Sequence, residues 1–165
     1  MSMSRRVDLE GWSSMRAADG STESVLMHRP VVARSGEGAR RLGDRYWAAV
    51  AEASRGLIRP HRTGTGVELR VLGRGPVLLR MAGPETAVDA RGLSCRYRIV
   101  GGLLARLPAG TLTLAQLSEP PYELRATVTE FVPRLSTGLY EHLQRRIHVA
   151  VSRRFFRALL QEGQE

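Results

Sequence analysis

Few side chains of this sequence are placed to do chemistry, and the most unusual is Arg154. On a helical wheel of the C-terminal stretch it falls inside the apolar sector, between Leu143 and Ile147. A charge there is costly unless it is paired or hydrated. Either its stem lies along apolar surface while the head reaches water, or the guanidinium is aimed into a cavity, where it would bind a carboxylate or phosphate. His148 borders the same sector. Glu130 shares a strand face with Tyr122, near the strand end. These two are the best acid–base candidates, since such work needs a titratable group in a cleft.

Other chemistry is excluded by spacing. His142 and His148 are six residues apart on one helix, about 240° around its axis, so they cannot share a metal ion. His28 and His61 complete no metal signature. Cys95 is the single cysteine, so neither a disulfide nor a cysteine-built zinc site can form. Its neighbour Arg96 stays protonated and cannot activate the thiol, which reads as a small core residue. Gly64-Thr65-Gly66 and Gly73-Arg74-Gly75 precede strands, whereas phosphate-binding loops open helices. No cofactor and no metal is expected.

The formal charge of +9 raises the question of a polyanionic partner. All 25 basic residues are arginine, and lysine and asparagine are absent. Both missing residues have AT-rich codons, so GC-rich coding DNA accounts for part of the arginine excess. The arginines are also spread along the whole chain, which argues against nucleic acid as the partner. No stretch approaches the roughly 18 apolar residues of a membrane span. Residues 1–24 lack a signal-peptide core, so a cytoplasmic location is expected.

The elements that must position these residues follow from periodicity. Residues 1–24 read as a polar tail and 25–165 as one α+β domain, a size that buries a sizeable core. Residues 25–33 suit a short edge strand, which tolerates Pro30. Ser35 caps a helix over 37–58, with Leu42, Tyr46, Ala49, Val50, Ala53 and Leu57 at helical spacing. Strands follow at 67–71 and 76–82, joined by the Gly73–Gly75 turn. Residues 92–106 alternate in the same way, with a bend at Gly101–Gly102. A further hairpin pairs 110–117 with 121–132, its turn at 118–121. After Pro133 a last helix runs from Ser136 or Thr137 to about 161. Leu139, Leu143, Ile147, Ala150, Val151 and Ala158 make its apolar sector.

A helix, consecutive antiparallel strands and one long C-terminal helix resemble the START-like helix-grip superfamily, also called the SRPBCC or polyketide cyclase-like group. The resemblance is carried by the Tyr97-Arg98-Ile99 strand with its Gly101–Gly102 break, by the 110–132 hairpin, and by Phe131-Val132-Pro133 leading into Gly138-Leu139-Tyr140. It covers about residues 25–160. The sequence departs from the superfamily in its weak first strand, interrupted by Pro30. The resemblance implies a curved antiparallel sheet gripping the C-terminal helix, with a helix before the sheet and a ligand pocket between them.

The resulting expectation is a small-molecule binding protein holding a largely apolar, possibly acidic or lipid-like ligand. Tyr97, Tyr140, Ile147, Val151 and Arg154 are its candidate contacts, with Tyr122 and Phe131 behind them. The pocket should exceed roughly 300 Å³. The alternatives are a cyclase- or dehydratase-like enzyme of the same fold, using Glu130 or His148, and an arginine-rich protein touching nucleic acid or an anionic membrane.

Overall fold

A computed structural model describes residues 9–16, 21–106, 108–131 and 137–163, with the side chains of 137–145 outside the description. The elements, in chain order, are β1 (Trp12–Arg16), β2 (Thr22–Leu26), α1 (Gly36–Ala53), β3 (Ile58–Arg62) and β4 (Gly66–Val71). There follow β5 (Val77–Val88), β6 (Gly92–Gly101), β7 (Thr111–Leu117), β8 (Leu124–Thr129) and α2 (Thr137–Glu162). The strands form one curved, open, fully antiparallel sheet in the order β1-β2-β8-β7-β6-β5-β4-β3. No helix among the described residues is long and apolar enough to cross a membrane.

Alternation writes the sheet. In β6, Leu93, Cys95, Tyr97 and Ile99 are buried while Arg96 and Arg98 face out. In β7, Leu112, Leu114 and Gln116 are buried, and in β8 Leu124 and Ala126. The outward residues form ion pairs within strands and between neighbouring ones. The Glu68 carboxylate accepts from Arg70 at 2.8 Å and Arg80 at 3.2 Å, and these hydrogen bonds hold its pKa below the usual value. Arg125 reaches both Glu23 and Glu123.

Several sequence expectations change. The region read as tail contains two strands: Thr22, Ser24 and Leu26 of β2 are buried, and β2 pairs with β8 from Thr22↔Val128 to Leu26↔Leu124. The polar character of Thr22 and Ser24 hides the alternation, because these inward residues are small hydrogen-bonding groups rather than apolar ones. Residues 1–8 lie outside the described residues. Trp12 is held by the Arg153 guanidinium, 4.7 Å above its ring. Residues 27–33 are not the expected edge strand. They form a connection held by Gln116, whose amide oxygen accepts from Val31 N–H at 2.8 Å and Val32 N–H at 3.1 Å.

The first helix does not precede the sheet but follows its first two strands. The Ser35 hydroxyl caps it, accepting from Gly38 N–H at 3.0 Å. It ends at Ala53 rather than at 58, and Ile58–Arg62 form β3, a strand that the sequence reading did not expect. Pro60 sits in β3 because that strand lies at the sheet edge, where a missing N–H leaves no ladder bond broken. Residues 102–106 lie beyond β6, which ends where Gly102 turns at φ +115°.

The C-terminal helix buries a different face from the one expected. His148, Val151, Ser152, Phe155, Phe156, Leu159 and Leu160 are buried, at spacings of three and four, while Ala150 is exposed and Ile147 is 46% exposed. Helix α2 packs against both α1 and β2. Phe155 meets Tyr46 of α1 edge-on at 5.5 Å. Among the described side chains of α2, the adjacent phenylalanines dominate the buried face. Leu139 and Leu143 are among the residues whose side chains lie outside the description. At its far end, Glu162 takes ion pairs from Arg41 and Arg45 of α1.

Candidate functional site

Between the sheet and the two helices lies a partly open cavity of about 190 Å³. Leu69, Met81, Ile99, Leu112 and Val128 form its sheet wall, Tyr46, Trp47 and Val50 come from α1, and Ile147, His148 and Val151 from α2. Ile58, Leu78, Leu79, Leu104 and Phe131 complete the described lining. These side chains meet there for a simple reason. The inward alternation of β4 to β8 supplies the apolar floor, and the C-terminal half of α1 crosses it. The cavity is smaller than the size expected from the architecture. Its volume nevertheless exceeds the roughly 150 Å³ of an engineered apolar cavity that holds benzene.

Among the described lining residues two are titratable, Tyr46 and His148. The His148 imidazole is 5% exposed, and burial pushes its pKa down to about 4. Its Nε2 lies 3.0 Å from the Ser24 hydroxyl and 3.5 Å from that of Ser152, and Ser24 in turn donates to Ser14 at 3.1 Å. This pairing of serine with histidine has the elements of an activated nucleophile. Ser24, however, is fully buried and is not part of the cavity lining, so a substrate in the cavity would meet the imidazole and not the hydroxyl. Tyr46 is 7% exposed, and burial alone lifts its phenol pKa well above the usual range.

Of the residues singled out from the sequence, Ile147 and Val151 line the cavity, and so do Phe131 and His148. The side chain of Tyr140 lies outside the described residues. Tyr97 is buried but stands beneath α1, away from the lining. A Cβ on Gly43 would fall 2.4 Å from its hydroxyl, so the glycine makes room for it. Its ring packs edge-on to Trp47 at 5.0 Å, and the Trp47 indole N–H lies toward it without completing a hydrogen bond. Tyr122 and Glu130 are not part of the lining, and Glu130 is exposed.

Arg154 does not enter the cavity. It is exposed, and its Nη1 stands 3.6 Å from Glu52 of α1, so the anchor read from the wheel is a bridge between the two helices. The wheel misplaced it because the true buried face is centred near Ser152 and Phe155. An exposed pair of this kind contributes about 0–1 kcal/mol. Arg154→Met should therefore move the denaturation midpoint little and leave any ligand-induced rise in melting temperature intact. Loss of that rise in the variant would restore Arg154 to the site.

Among the lining residues that sequence reasoning missed are Tyr46, assigned only to a helix core stripe, and Trp47, which lies beside that stripe. A signal was present: two large aromatics with polar ends, adjacent on a buried stripe, need partners that a filled apolar core does not offer. Among the described residues no cluster of histidine, cysteine or carboxylates suits a metal ion. No protein-family model matches the chain, and neither a curated protein nor a solved structure matches it significantly.

Proposed function

We propose that this protein is a small-molecule binding module that holds an apolar ligand between its sheet and its two helices. One observation carries the reading: a partly open cavity of about 190 Å³ lined almost wholly by apolar side chains. Protein interiors are otherwise close-packed, and unfilled apolar volume destabilises a fold by roughly 24 cal/mol per Å³. A space of this size is retained at a cost that an occupant would offset. The long C-terminal helix lying against a curved antiparallel sheet also supports a helix-grip arrangement of the START-like kind, although α1 follows the first two strands. An enzymatic role would rest on His148, the lining group best able to move a proton.

Native mass spectrometry of the purified protein, paired with a thermal-shift screen of small apolar compounds, tests the proposal. A co-purified or added compound should bind and raise the melting temperature. Val128→Phe, which fills the cavity from the sheet wall, should abolish that rise while leaving the apo melting temperature equal or higher. A ligand response that survives Val128→Phe, or none to any compound in wild type, would overturn the proposal.

A further inference from the structure

The Tyr46 ring is clamped edge-on between Trp47 at 5.3 Å and Phe155 at 5.5 Å, so its position is fixed by packing. Its hydroxyl has no hydrogen-bond partner among the described residues, and no hydrogen bond offsets the effect of burial on its acidity. The oxygen is not among the fully buried unpaired side-chain atoms, so it stays open to whatever occupies the space beside it. The residue lines the cavity, so what its hydroxyl lacks is something the cavity can hold.

The rest of the lining limits what that can be. Among the described residues no arginine, aspartate or glutamate lines the cavity, and its other titratable group, His148, is neutral at ordinary pH with its Nε2 already engaged by Ser24. A carboxylate or phosphate entering here would be desolvated without a counter-charge, which costs far more than burying a neutral polar atom. A carbonyl or hydroxyl oxygen needs one donor, and Tyr46 supplies one.

Resting on the binding role proposed above, we infer that the cavity takes an uncharged molecule. Its body is one apolar ring or a short hydrocarbon chain, and it carries a single oxygen acceptor that receives the Tyr46 hydroxyl proton in a hydrogen bond. The corresponding acids are excluded. This reverses the acidic ligand expected from the sequence, which depended on Arg154.

NMR titrations of wild type and Tyr46→Phe with matched probes test the inference. The ring set is acetophenone, ethylbenzene and benzoate, and the chain set is 2-heptanone and heptanoate, all at pH 7. In wild type the ketones should bind more tightly than ethylbenzene, and the two acids should not bind. Tyr46→Phe should weaken the ketones roughly tenfold, the size of one net hydrogen bond, and leave ethylbenzene unchanged. The apo variant should melt at the same temperature as wild type or higher. Acids that bind as well as ketones would overturn the exclusion. An equal loss for ketone and hydrocarbon, or a lower apo melting temperature, would show Tyr46 to be structural. Binding by no probe of either set would instead overturn the binding role itself.

Discussion

Replacing Phe156 with alanine should cost about 3–5 kcal/mol, and the same change at Ile147 less than about 1 kcal/mol. Phe156 is fully buried and packs on Phe155 at 5.2 Å between ring centroids, within the cluster that joins α2 to α1 and the sheet. Truncating it removes most of a buried ring and leaves a void that rigid neighbours cannot fill. Ile147, nearly half exposed beside the cavity, loses only part of its contact and opens onto space already there. Urea denaturation of the two variants measures both values. Equal losses would mean that the helix is rotated from the position described, with the Ile147 side facing the core.

The second large effect is acid sensitivity. In the unfolded chain an imidazole titrates near 6.5, but burial pushes that of His148 down to about 4 in the fold. Above pH 6.5 it is neutral in both states and contributes nothing to the pH dependence. Between 6.5 and 4 the unfolded chain binds a proton that the folded chain refuses, so stability falls as pH falls. The full difference amounts to about 3 kcal/mol at 1.36 kcal/mol per pH unit. Unfolding free energies at pH 7, 6, 5 and 4 should show this loss in wild type, and His148→Leu should lack it. Carboxylates contribute equally to both proteins, so the difference between the two profiles isolates the histidine. Parallel profiles would show that His148 is hydrated or protonated in the fold.

The sheet's centre was legible because its inward residues are apolar and its outward ones charged: Leu93, Cys95, Tyr97 and Ile99 against Arg96 and Arg98 need no tertiary information. Strands β1 and β2 were not legible, because Thr22 and Ser24 point inward while remaining polar, and the partner that makes this tolerable, His148, lies more than a hundred residues away. Strand β3 was masked by Pro60, an edge residue that reads as a stop signal when the edge is not known. Of the site, Ile147, Val151 and His148 were legible from α2 and Phe131 from the end of the last hairpin arm, since a helix laid over a sheet must present one side to it. Arg154 shows the limit of that argument. The wheel gives angles between residues, but the absolute rotation depends on what the helix packs against, and α1 competes with the sheet for its apolar side. Tyr46 was seen as core because nothing in a periodicity distinguishes a residue beside a cavity from one in a filled core.

The pairing of β2 with β8 has a consequence for the order of folding. Thr22 lies opposite Val128, so closing this part of the sheet brings together segments separated by most of the chain. Loop-closure entropy opposes such a step until the intervening strands exist to shorten the effective loop. The hairpins β4–β5 and β7–β8, with the β5–β6 pair between them, are local and can form first. The β2–β8 ladder and the docking of α2 need the chain nearly complete. The α2 side of the cavity comes from His148 and Val151, so this ordering makes the cavity one of the last features to form. A nascent chain halted before α2 would leave exposed the apolar part of the sheet wall that α1 alone does not cover.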